Sequence, residues 1–144
     1  MIQRIQSLWL LVAALVNAGV FYFPLYRGHV DNAGVDTLMY LEVGQRMPLL
    51  LAALVMTILP AVAIFLYGNR KRQKRIVLVS FVAAISFITV GMMYVTRFIS
   101  ESGIANDSYW IGMVLPFISI VFLVLAFMGI RKDEKLVKSL DRLR

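Results

Sequence analysis

The chain has 144 residues, 60% of them hydrophobic and 16% charged, with a mean hydropathy of +0.80. Soluble domains average about 45–50% apolar and about 25% charged, so the composition argues against a soluble fold and for a single membrane domain over 1–144. The net charge is +7, and the absence of cysteine excludes disulfides, thiolate zinc sites, iron–sulfur clusters and cysteine nucleophiles.

Four apolar runs free of Asp, Glu, Lys and Arg follow one another: Leu8–Leu25, Pro48–Tyr67, Ile76–Val95 and Trp110–Ile130. At 1.5 Å per residue, about 20 helical residues cross a hydrocarbon layer of roughly 30 Å. A helix also satisfies its own backbone hydrogen bonds, as lipid demands. The expectation is an all-α membrane protein with four transmembrane helices. The first run ends in Phe21-Tyr22-Phe23-Pro24-Leu25-Tyr26 with no small-residue cleavage site, and it reads as an uncleaved anchor.

Between the first two runs lies an outer loop, 27–47. Its Asp31-Asn32-Ala33-Gly34 has turn chemistry between Val30 and Val35, consistent with a short hairpin. The link 69–75 carries Arg70, Lys71, Arg72, Lys74 and Arg75, and its brevity predicts that the second and third spans are antiparallel neighbours. The segment after the third span has one cation, Arg97, placed to anchor at the membrane interface. The tail 131–144 carries Arg131, Lys132, Lys135, Lys138, Arg142 and Arg144.

With Arg4, twelve basic residues fall on one side of the spans, and only Arg27, Arg46 and Arg97 on the other. The positive-inside rule therefore predicts cytoplasmic N- and C-termini and an up-down-up-down bundle. The positive charge is mainly an orientation signal, and nucleic acid is disfavoured as a partner. Within the tail, Leu136, Leu140 and Leu143 recur at helical spacing among cations, which predicts a basic amphipathic C-terminal helix lying on lipid or on protein.

Candidate chemistry is sparse. No Asp, Glu, Lys, Arg or His lies inside a span, which argues against proton pumps and ion-coupled carriers. Asn17, Ser86, Thr89 and Ser119 are the candidate intramembrane polar contacts, either bonding between helices or lining a pocket. Pro60 and Pro116 interrupt the second and fourth spans and can kink them. His29, Asp31, Asp36 and Glu42 match no metal-site spacing. No nucleophile with a matching base and no phosphate-cradling loop is visible. No catalytic residue, cofactor or metal is predicted, and the chain reads as a non-enzyme.

The opening Met1-Ile2-Gln3-Arg4-Ile5-Gln6-Ser7-Leu8 and the closing Arg131-Lys132-Asp133-Glu134-Lys135-Leu136-Val137-Lys138-Ser139-Leu140-Asp141-Arg142-Leu143-Arg144 resemble the small four-span membrane proteins of Bacteroidota grouped as domain-of-unknown-function family 4293. The resemblance implies an inner-membrane protein of unassigned activity and supplies no site residues. Its motifs sit at the cytoplasmic ends, which by analogy favours docking over chemistry. The leading expectation is an accessory or structural subunit that docks other membrane or cytosolic proteins through Ile2, Arg4, Leu136, Leu140, Asp141 and Arg142. The first alternative is a small transporter or channel with a pocket between the spans. The second is a lipid-binding protein whose Arg70, Lys71, Arg72, Lys74 and Arg75 hold anionic headgroups.

Overall fold

The structure, a computed structural model, describes residues 2–32, 35–102 and 107–141, with side chains over 5–29, 37–102 and 109–136. Helix α1 (Ile2–Ala18) continues into a 3-10 turn, Gly19–Phe21. Strands β1 (Tyr26–Asn32) and β2 (Val35–Leu41) follow, then a second 3-10 turn, Val43–Gln45, and helix α2 (Met47–Phe65). Helix α3 spans Arg70–Ser102, β3 is Asp107–Tyr109, and α4 spans Ile111–Asp141. Each helix packs on two others: α1 on α2 and α4, and α3 on α2 and α4.

The buried positions follow one spacing rule. In α1 and its 3-10 extension they are Gln6, Leu10, Ala13, Asn17 and Val20, with Ala14 beside them; in α2 they are Leu49, Ala53, Met56, Pro60 and Ala63. In α3, Gln73, Val77, Ser80, Ala84, Phe87, Gly91 and Val95 are buried. In α4, Gly112, Pro116, Ser119, Leu123, Ala126, Ile130 and Asp133 form the same kind of row, with Met113 alongside. Steps of four and three keep a narrow seam on one side of each helix, the geometry of a slightly supercoiled packing. Many seam residues are small or polar, so helix backbones approach closely. Gly129 illustrates the closeness, since a Cβ there would lie 2.8 Å from Gln6 Cγ.

Many large apolar side chains point the other way. Leu15, Leu51, Val82 and Met128 are each more than 60% exposed. Helices α2, α3 and α4 (the last over Ile111–Leu136) are long and apolar enough to cross a membrane. In their most apolar stretches only 28%, 28% and 33% of residues are buried. An apolar exterior of this extent is a membrane protein's, because water-soluble monomers rarely expose such patches. The stretch Ile5–Phe21 is apolar but shorter than these three.

Several expected boundaries move. The first run was expected to span Leu8–Leu25, but the helix starts at Ile2 and its 3-10 turn ends at Phe21. Beyond it the chain turns against α4: the Gly112 N–H donates to the Pro24 carbonyl (3.1 Å) and the Trp110 N–H to the Leu25 carbonyl (3.1 Å). A Cβ on Gly112 would lie 2.5 Å from both the Phe23 and Pro24 carbonyl oxygens, so only glycine fits there. Helix α2 begins at Met47 with a proline in its first turn and ends at Phe65, and Tyr67 falls beyond it. Helix α3 extends well past both ends of 76–95 and absorbs the link residues 70–75. The tail is no separate amphipathic helix: α4 runs unbroken through Ile130 into 131–141.

The all-α expectation is also corrected, by a three-stranded antiparallel sheet in the order β2-β1-β3. The anticipated hairpin runs from Tyr26 opposite Leu41 to Asn32 opposite Val35. Tyr26, Arg27 and Gly28 also pair with Tyr109, Ser108 and Asp107. A loop outside the helices still has backbone donors and acceptors to satisfy, and pairing two loops in one sheet does so. Buried Tyr26 packs edge-on against Phe98 and Tyr109, with ring centroids 6.3 and 5.8 Å apart.

Candidate functional site

At the end of the molecule opposite the sheet, the C-terminus of α2, the N-terminus of α3 and the distal part of α4 meet. Asn69 opens α3: its side-chain oxygen accepts the Arg72 N–H (3.2 Å) and its carbonyl accepts the Gln73 N–H (2.9 Å). Cations in the first turn of a helix oppose its dipole, and Arg70, Lys71 and Arg72 all sit there. Carboxylates on α4 offset part of this. The Arg70 guanidinium lies 2.9 Å from the Asp133 carboxylate, whose side chain is 6% exposed. Lys74 Nζ lies 2.7 Å from Glu134 Oε2. Two of the five cations expected to hold headgroups are therefore clasped to α4. Lys71, Arg72 and Arg75 remain exposed.

The six expected docking residues are only partly within view. Ile2 and Arg4 lie in the first turns of α1, and Leu140 and Asp141 in the last turn of α4. Their side chains, and the whole of Arg142, lie outside the described residues. Leu136 is exposed, two turns beyond Met128 on α4.

Asn17, Ser86, Thr89 and Ser119 do not converge on one pocket. Asn17 is fully buried, and its Nδ2 donates to the Met56 carbonyl at 3.0 Å. That carbonyl is the one that a residue at position 60 would bond within the helix, and Pro60 has no N–H to give. Asn17 thus replaces a backbone donor that the proline removed. Ser119 is buried on α4. Thr89 is exposed and donates to the Ile85 carbonyl of its own helix at 3.0 Å. Ser86 is exposed and lines an apolar groove of about 360 Å³ between α2 and α3, beside Leu51, Val55, Val79 and Val82.

Sequence reading passed over Gln73, which is buried on α3 and donates through Nε2 to the Ala63 carbonyl at 3.0 Å. The last carbonyls of a helix lack regular intrahelical donors; the Leu66 N–H reaches the Ala63 carbonyl at 3.3 Å, and Gln73 adds a second donor from the neighbouring helix. The clasps were also missed. The signal for them was available: Arg70 and Lys74 are four apart, hence on one helix face, and Asp133 and Glu134 are adjacent acids on the same side of the spans.

At the sheet end, Arg27 is held between two rings, its guanidinium carbon 5.8 Å from the Tyr40 centroid and 5.2 Å from that of Trp110. Arg46 and Glu101 form an exposed ion pair at 3.6 Å. Arg97 is exposed near the end of α3. Among the described residues no three His, Asp or Glu side chains gather in a way that could hold a metal ion.

No curated protein and no solved structure matches the chain. The family model described as "Domain of unknown function (DUF4293)" matches residues 2–143. The match covers nearly all of the sequence, and the protein belongs to that family.

Proposed function

We propose that the protein is a four-span, up-down-up-down helical bundle of the bacterial inner membrane with both termini cytoplasmic. We further propose that it is a non-enzymatic accessory or structural subunit that docks a partner protein at its basic end. The observation that carries this reading is the unbroken 31-residue α4. At 1.5 Å per residue it is about 46 Å long, against a hydrocarbon core of roughly 30 Å. Its distal turns therefore stand clear of the bilayer, braced against α3 by the Arg70–Asp133 and Lys74–Glu134 pairs. A braced projection costs less ordering entropy on docking than a mobile tail would. The pocket reading has less support, because Ser86 and Thr89 are exposed while Asn17 and Ser119 are buried.

The test is affinity purification from native membranes in mild detergent, comparing the natural chain with a Leu136→Ser, Leu140→Ser variant that keeps both clasps. The expected result is a partner recovered in stoichiometric amount with the natural chain and lost with the variant. Recovery of the natural chain alone would overturn the docking role.

A further inference from the structure

A cleft of about 220 Å³ opens between α3 and α4 at the basic end, lined by Lys74, Arg131, Glu134 and Lys135. One water occupies a share of about 30 Å³, so the cleft has room for a phosphodiester and its first glycerol carbons. Three cations face one carboxylate there, and Glu134 already holds Lys74 at 2.7 Å. An ammonium has three donors, which leaves Lys74 two to offer. Arg131 and Lys135 are one turn apart on α4, both exposed, and neither forms an ion pair among the described residues. The Arg131 guanidinium carbon sits 5.9 Å from the Phe127 ring centroid, which fixes its height on the helix.

That height matters. Ile130 ends the uncharged stretch that follows Asp107, and Arg131 is the first charge beyond it. On the membrane side of the cleft, exposed Leu78 lies one turn from Lys74, and exposed Val124 and Met128 flank Phe127. A cationic recess directly above an apolar helix face fits a molecule that is anionic at one end and hydrocarbon at the other. A soluble anion would use only the first half.

We propose that this cleft binds the phosphate of an anionic membrane lipid, with Arg131 and Lys135 as its main partners, Lys74 as the third donor and the acyl chains lying along Leu78, Val124 and Met128. The site rests on the membrane placement of this end and not on the docking of a protein there. Native mass spectrometry of the full-length protein in mild detergent, titrated with phosphatidylglycerol, phosphatidylcholine or inorganic phosphate, tests it.

Phosphatidylglycerol is expected to bind in preference to phosphatidylcholine and to resist displacement by inorganic phosphate. Near-surface cations contribute enough that Arg131→Gln with Lys135→Gln is expected to weaken it about ten- to thirtyfold. The control pair Arg97→Gln with Lys132→Gln removes equal charge at exposed positions that do not line the cleft and is expected to change binding less than about twofold. Lys135→Gln alone gives a milder variant of the same test should the pair fail to accumulate. Equal binding of the two lipids, equal loss in both double variants, or ready displacement by inorganic phosphate would overturn the proposal.

Discussion

Asn17 and Gln73 show what a polar side chain does where water does not reach the backbone. An unpaired carbonyl in lipid costs several kcal/mol; Pro60 leaves the Met56 carbonyl of α2 without its usual donor, and the Ala63 carbonyl, near the helix C-terminus, accepts the Leu66 N–H at 3.3 Å. The amides of α1 and α3 reach across to them at 3.0 Å each. The Asn17 Nδ2 is committed to the Met56 carbonyl, while its Oδ1 is buried without a hydrogen-bond partner among the described residues. Interhelical bonds of this kind are typically worth about 0.6–2 kcal/mol. Asn17→Leu is therefore expected to destabilise the protein by about 1 kcal/mol in detergent-micelle unfolding. In a Pro60→Ala background, where residue 60 again has an N–H for the Met56 carbonyl, the same substitution should cost less than half as much. An equal cost in both backgrounds would show that Asn17 does not stand in for the missing donor.

At the scale of helices and strands, the membrane inverts the usual reading of periodicity. In a soluble bundle, large apolar residues mark the buried face. Here the buried rows contain Gln6, Asn17, Gln73, Ser80, Gly91 and Ser119, while residues such as Leu15, Leu51 and Val82 face out. Uniformly apolar runs were therefore enough to show where the helices lie, but not which face of each packs. Their ends were less legible, because they depend on neighbours: Gly112 and Pro24 stop the first helix against the fourth, and Asp133 and Glu134 hold α3 and α4 together beyond the apolar stretch. The third strand was invisible in sequence, since three residues, Asp107–Tyr109, carry no period of their own and become a strand only beside β1. The clasp has a measurable weight. Asp133→Asn leaves a largely buried guanidinium without its charge partner and is expected to cost about 1–3 kcal/mol, between the ranges for exposed and buried pairs. Glu101→Gln, which breaks the exposed 3.6 Å pair with Arg46, is expected to cost less than about 0.5 kcal/mol in the same unfolding measurement. Similar losses from both would show that the clasp is no more than a surface contact.

For the whole molecule, the two ends differ in kind. One is a small sheet with aromatic residues around Tyr26 and Arg27. The other is a set of helix ends rich in Lys and Arg, braced by ion pairs and opening into a cationic cleft. The difference in basic residues that was plain in the sequence thus corresponds to a difference in architecture. Activity was not legible because the chain carries no Asp, Glu, Lys, Arg or His inside its apolar runs and no gathered set of reactive groups from which chemistry could be argued. The account turns on the basic end facing the cytoplasm and the sheet facing away. The chain has no cysteine, so single-cysteine variants at exposed positions of the two ends report orientation cleanly. Labelling of Glu42→Cys and Lys135→Cys by a membrane-impermeant maleimide, in spheroplasts and after lysis, is the most direct test. The account predicts that Glu42→Cys reacts in intact spheroplasts and Lys135→Cys only after lysis. Reaction of Lys135→Cys in intact spheroplasts would contradict it.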